Sequence, residues 1–201
     1  MSLVGLTQRV VIDPNHGERR DALDQRWPLF LAAAGLGAVA LPNEASLAVK
    51  LADKTGVSGI ILTGGGDLAD YGGDAPERDA AEVALLAWAH ARKIPVMGVC
   101  RGMQAIQHKF GVRLHRIEGH VTASHPAVVE GARRDVNSFH NFATRETAPE
   151  LEIWAHALDD SVEAIRHRTE KVSGIMWHPE RCAPFDENDL KLFASFLGAS
   201  T

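Results

Sequence analysis

The pattern of apolar and polar positions changes texture near residue 112. Before it, short apolar runs alternate with stretches of helical spacing. Arg9–Ile12 reads as a strand ending at Asp13-Pro14, and residues 24–34 as a helix whose apolar surface comes from Trp27, Leu29, Phe30 and Leu31. Gly37–Leu41 is a second strand, and Asn43 is placed to cap a helix running to about Lys54. Val57–Leu62 is a third strand and stops at Thr63-Gly-Gly-Gly-Asp67. Pro76 opens a helix to Arg92, with acids early and Arg92-Lys93 late, as the helix dipole prefers. The run Ile94–Val99 is apolar throughout, as a strand buried on both faces should be, and it feeds a helix stopped by Gly111.

After residue 112 the runs shorten. Val112–His115, Ala127–Val129, Leu151–Ala155, Val162–Ile165 and Ser173–Trp177 read as strands, several alternating apolar with polar as antiparallel pairing favours. A last helix spans residues 188–197. The βαβα order of the first part predicts an α/β fold: an open, mainly parallel sheet with helices on both faces, plus a small antiparallel sheet from the second half. With 201 residues and no long linker, residues 1–201 are expected to form a single domain.

Composition narrows the function. Hydrophobic residues are 45% and charged residues 23%, the balance of an ordinary globular protein, and the net charge of −5 with no basic block argues against a nucleic-acid partner. No apolar stretch is long enough to cross a bilayer, and the N-terminus lacks the pattern of a signal peptide. Two cysteines make no disulfide framework, so a cytoplasmic location is expected.

Cys100 carries the chemistry. It stands between an apolar strand and a helix, flanked by Gly98 and Gly102, where a tight turn pushes its sulfur out over helix-start N–H groups. Such a terminus favours a thiolate. Two further segments end strands: Trp177-His-Pro-Glu180 and Thr63-Gly-Gly-Gly-Asp67. In an open parallel sheet such ends converge on one crevice. His178 can take a proton from the thiol and return it to a leaving nitrogen, while Glu180, two residues on, orients the imidazole. An N–H of the 64–66 run and that of Arg101 are candidates for an oxyanion hole. His115, His120 and His125 suggest a metal cluster at first sight. No cysteine or acidic partner follows at zinc spacing, so neither metal nor cofactor is expected.

Taken together, these residues resemble class I glutamine amidotransferases, and more closely the γ-glutamyl hydrolase-like branch that includes γ-glutamyl-γ-aminobutyrate hydrolases. Gly64-Gly-Gly-Asp67, Tyr71…Arg78-Asp79…Glu82, Gly98-Val-Cys-Arg-Gly-Met-Gln104, Val136-Asn-Ser-Phe-His140 and Gly174-Ile-Met-Trp-His-Pro-Glu180 fit that branch in order. The resemblance implies Cys100 as nucleophile, His178 as base and acid, Glu180 as its partner, and Gly66 with Arg101 as oxyanion donors. It also implies a γ-glutamyl group near Gly64, Gly65, Gln104, Ser138, Phe139, His140 and Asn141. The reaction implied is hydrolysis of a γ-glutamyl amide through a glutamyl thioester. Where the branch reads His-His-Gln this chain reads His140-Asn141-Phe142. That variant, with Gly5-Leu-Thr-Gln-Arg9 and residues 20–27, is similar to hydrolases of γ-glutamyl-CDP-amidate. Arg9, Arg19, Arg20 and Arg26 either face a diphosphate or pair with neighbouring acids. The expected partner is a small-molecule γ-glutamyl substrate, with no nucleic acid and no membrane, and a homodimer is left open. Two other readings stand beside the hydrolase: a glutaminase subunit feeding ammonia to a separate synthetase, and a non-catalytic binding module.

Overall fold

The computed structural model describes residues 1–198, so the last three residues of the expected 1–201 domain lie outside the described residues. Its central feature is a nine-stranded sheet. Strands β1 (Leu3–Leu6), β4 (Gly37–Ala40), β5 (Gly59–Leu62), β6 (Val96–Val99) and β13 (Val172–Ile175) run parallel in the order β4-β1-β5-β6-β13. Beyond β13 the sheet continues antiparallel through β12 (Val162–His167), β11 (Leu151–Ala157), β8 (Val121–Val129) and β9 (Ala132–Phe139). Two small antiparallel pairs complete the strands: β2 (Arg9–Ile12) with β3 (Arg19–Ala22), and β7 (His115–Arg116) with β10 (Phe142–Ala143). Most strands of the second half thus extend the main sheet edge to edge, and only β7 and β10 form a small sheet apart.

The pleat sends successive side chains to opposite faces, and each face has its own core. On one, Ile60, Leu62 and Val96 pack with Ala48 and Ala52 of α2 (Ala45–Thr55), Leu85 and Trp88 of α3 (Pro76–Arg92), and Met103 and Ile106 of α4 (Arg101–Lys109). On the other, Val4, Leu6, Ile61 and Met97 pack with Trp27, Phe30 and Leu31 of α1 (Arg26–Ala33) and with Phe193 and Leu197 of α5 (Glu187–Leu197). Among the described residues, no helix is long and apolar enough to cross a membrane.

Local chemistry sets the helix ends. α3 begins at Pro76, with Glu77 and Asp79 in its first turn. The Asp186 carboxylate accepts from the N–H groups of Asn188 and Asp189 at the start of α5. Asn43 does not cap α2. Glu44 does, accepting from Leu47 N–H at 2.7 Å, while the Asn43 amide donates to the Gln8 carbonyl and to Asp21. The strand expected at residues 9–12 is present, but in the exposed β2–β3 hairpin; the main sheet starts with β1, just before it. Nothing in Val112–Leu114 is strand, and β7 begins only at His115.

The turn after β6 depends on close backbone approach. A Cβ on Gly102 would stand 1.9 Å from the Leu62 carbonyl oxygen, so only glycine lets α4 start this close to β5. Gly102→Ala is expected to lower stability by about 1–3 kcal/mol, seen as a lower urea midpoint. An unchanged midpoint would show that the turn tolerates the displacement.

Candidate active site

β5, β6 and β13 are adjacent, so their carboxyl ends place residues 63–67, Cys100 and 176–180 side by side. The Cys100 N–H still bonds the Ile175 carbonyl at 2.8 Å, and its own carbonyl accepts the first bond of α4, from Gln104 N–H at 3.1 Å. Between the two the backbone turns at φ 51° and ψ −106°. A positive φ at a non-glycine residue is strained, and strain of this kind is a property of nucleophile elbows.

His178 follows β13 and is 1% exposed. Its Nδ1 lies 2.7 Å from Glu180 Oε1. Burial pushes the imidazole down, but its interactions with Cys100 and with the Glu180 carboxylate outweigh that and raise it to about 9. The ring is packed closely: a Cβ on Gly64 would come 2.4 Å from its Cε1, and Phe139 meets it edge-on with centroids 5.8 Å apart. Asn137 fixes the backbone. Its amide donates to the His178 carbonyl at 2.8 Å and its side-chain oxygen accepts from His178 N–H at 2.7 Å. The run Val136–His140 stands out in the sequence, but nothing in it singles out Asn137; a side chain that acts through the backbone of a distant strand leaves no spacing signal.

The glycine run is held from behind. The Arg78 guanidinium donates to the carbonyls of Thr63, Gly64 and Gly65. In a trans peptide the following N–H points opposite to the carbonyl, so the Gly66 N–H faces away from Arg78. Arg78 also binds Glu82 Oε1 at 2.9 Å, and Glu82 Oε2 accepts from Arg101 at 2.6 Å. Asp79 takes a second nitrogen of Arg101, and Thr7 donates to Glu82. Burial alone would push the Glu82 carboxyl up, but Arg78 and Arg101 hold it below the usual carboxylate range. The Arg101 side chain therefore anchors the elbow from below, a role distinct from the one expected of its N–H.

The other expected binding residues divide. Gln104 donates to the Phe142 carbonyl, Ser138 to the His120 carbonyl, and His140 faces Glu163 and His120, so these buried side chains already have protein partners. Asn141 is exposed, with its carbonyl accepting from Ile117 N–H. Arg19 pairs with Glu77, Arg20 with Glu18 and Asp13, and Arg26 reaches the Arg181 carbonyl. Arg9 has no ion-pair partner among the described residues. It lines a cleft of about 30 Å³ with Thr63, Gly64, Gly65, His178 and Glu180. Trp27 and Trp88 are buried, as helical core positions should be. His115 stays exposed on β7, whereas His120 and His125 converge on Glu163, an acid from a strand far along the chain that zinc spacing could not signal.

Comparison with known proteins decides the family. Residues 30–197 match the family model for glutamine amidotransferase class-I. The chain belongs to the class I glutamine amidotransferase family. One relative, the γ-glutamyl-CDP-amidate hydrolase of Campylobacter jejuni, is 32% identical over 89% of this chain and 90% of that protein. The γ-glutamyl-γ-aminobutyrate hydrolase of Escherichia coli O157:H7 is 28% identical over 82% of this chain and 80% of its own length. The glutamine-hydrolysing GMP synthase subunit of Methanocaldococcus jannaschii is 28% identical over 73% and 76%. A crystal structure described as a GMP synthase subunit from Thermoplasma acidophilum superposes with a TM-score of 0.74 at 17% identity, covering 98% of this chain and 93% of that one. At that identity it speaks for the fold, and it agrees with the mainly parallel sheet predicted from the βαβα order of the first half.

The buried carboxylate should dominate local stability. Glu82→Gln leaves two buried guanidinium groups short of counter-charge, and a loss of about 3–5 kcal/mol is expected in denaturant melts. A loss below about 1 kcal/mol would mean that the network is far better solvated than its burial indicates.

Proposed function

We propose that this protein is a cysteine-dependent hydrolase that cleaves a γ-glutamyl amide bond and releases glutamate with an amine or amidate. One observation carries the reading: a buried imidazole, 2.7 Å from a carboxylate and held protonated to about pH 9, lies beside a cysteine in a strained strand-to-helix turn. The relatives named as γ-glutamyl hydrolases support the substrate class.

On this reading the Cys100 thiolate attacks the γ-carbonyl carbon. The carbonyl electrons move to oxygen, where the Gly66 and Arg101 N–H groups receive the charge. The His178 imidazolium gives its proton to the leaving nitrogen as the C–N bond breaks, which leaves a glutamyl thioester and a neutral imidazole. That imidazole then takes a proton from water as its oxygen attacks the thioester; the thiolate departs and glutamate is released. Glu180 keeps the imidazole in one orientation and stabilises its charged form. Gly64 leaves room for the His178 ring itself, Phe139 packs edge-on against that ring, and roles for Gly64, Gly65 and Phe139 toward substrate follow from the family resemblance. Binding roles for Gln104, Ser138, His140 and Asn141 rest on family resemblance alone. Arg9 lines the cleft and has no ion-pair partner among the described residues, which favours an anionic leaving group such as the amidate named for the Campylobacter jejuni relative. The 201 residues would act as one domain on a small-molecule substrate.

A glutaminase subunit that supplies ammonia to a separate synthetase is the second reading, favoured by the similarity to the GMP synthase subunit of Methanocaldococcus jannaschii. Turnover that appears only on adding such a partner would select it.

Glutamate release from a panel of γ-glutamyl amides tests the proposal. Wild-type protein should turn over at least one of them alone. Cys100→Ala should give none, and Glu180→Gln should retain partial activity because it orients rather than reacts. No turnover of any γ-glutamyl amide would rule the hydrolase out. The pH profile follows from the raised imidazole. Below about pH 9 His178 holds the proton that the leaving group needs, and above it the proton is lost. The rate should therefore fall on the alkaline side near pH 9, where the leaving group loses its proton donor. A profile flat from pH 5 to 10 would contradict the pair.

A further inference from the structure

A second group of titratable side chains lies in the antiparallel half of the sheet, and the proposed reaction does not use it. His120 precedes β8, His125 lies on it, His140 follows β9 and Glu163 is on β12. All four are buried, and Glu163 is 0% exposed. Glu163 Oε1 is 3.5 Å from His120 Nδ1, 3.4 Å from His125 Nε2 and 3.4 Å from His140 Nε2; His120 Nδ1 is 3.2 Å from His140 Nε2. Ligand atoms of His120, His125 and Glu163 all lie within 4.8 Å of one another.

Two features make this more than a polar cluster. The first is the position of the protons. The other nitrogen of His120 faces an Asp159 oxygen at 3.4 Å, and that of His140 faces the Phe142 carbonyl at 3.1 Å. Both outer partners only accept, so in the neutral rings the protons belong outside and lone pairs point inward. Neither Glu163 oxygen, nor His125 Nε2, has an aligned hydrogen-bond partner among the described residues. The inner space is thus lined by acceptors, which a positive charge at the centre would satisfy. The second feature is size. A tetrahedral site with arms of about 2.0–2.1 Å has edges of about 3.3–3.4 Å. The distances above, four of the six edges such a site needs, lie between 3.2 and 3.5 Å, and His125 and His120 have ligand atoms within 4.8 Å.

We propose that His120, His125, His140 and Glu163 bind a divalent metal ion of the zinc class. Three imidazoles and one carboxylate suit zinc, cobalt or nickel, whereas magnesium and calcium call for oxygen ligands. Four protein ligands leave no open position, so the ion would be structural. It would tie β8 and β12 to the segment after β9, whose Phe142 carbonyl holds Gln104 of the elbow helix. A proton shared between His120 and His140 is the competing occupant. It satisfies that pair but leaves His125 and Glu163 without an aligned partner.

Cobalt titration tests this, with any affinity tag removed and in a Cys100→Ala background so that the Cys100 thiol cannot compete. The expected result is the visible absorption of tetrahedral cobalt, saturating at one ion per chain, displaced by zinc and accompanied by a raised melting temperature. Glu163→Gln and His125→Gln should abolish it, and His115→Gln should leave it intact. Should the first two variants fail to fold, nitrogen-15 histidine spectra of the folded Cys100→Ala protein decide: zinc should move the His120 and His140 ring signals to a metal-bound position. Absence of the tetrahedral band, a band that survives in folded Glu163→Gln, or a His120 ring that stays imidazolium at saturating zinc would overturn the proposal.

Discussion

The buried carboxylate of Glu82 holds the site together. One of its oxygens takes Arg78 and Thr7, the other takes Arg101. Arg78 grips the carbonyls that end β5, and Arg101 is the first residue of the helix that follows Cys100. One negative charge on α3 therefore fixes both the glycine run and the elbow. Two guanidinium groups and one carboxylate would be costly to bury without this mutual compensation, and Asp79 supplies the remaining charge from a half-buried position. Through Arg78 that charge keeps the carbonyls of Thr63, Gly64 and Gly65 turned to one side.

Much of this arrangement is legible in the chain. The spacing of apolar runs marks α3 with both ends and places Cys100 at a strand-to-helix turn. What the pattern misses has specific causes. β1 is four residues long and sits where a reader looks for a leader sequence. β9 reads Ala-Arg-Arg-Asp-Val-Asn-Ser-Phe, mostly polar because it forms one edge of the sheet. Asn43 and Glu44 both have capping side chains; tertiary contacts with Gln8 and Asp21 draw Asn43 away and leave the cap to Glu44.

The site shows the same division. Cys100, His178 and the glycine run are visible because each ends an apolar strand and parallel strand ends must converge. The network around Glu82 is visible only as a family pattern, since its members meet through tertiary packing across 75 positions from Thr7. The histidine cluster is partly legible and partly misleading. Its acid lies on β12, so the sequence offers His115 as the third member where the fold supplies His140. Sequence spacing finds clusters built from one local segment; a cluster assembled across a sheet leaves no such trace.

The proposed function rests on Cys100 in its strand-to-helix turn with the His178 imidazole beside it. The most direct measurement is peptide mapping by mass spectrometry after exposure to a diazoketone analogue of glutamine, which alkylates a thiolate only when the glutamyl part is bound. The account predicts one adduct per chain, on Cys100, slowed by excess γ-glutamyl amide and slowed further in His178→Ala. An adduct that forms equally on Cys182, or none on Cys100 in folded protein, would contradict it.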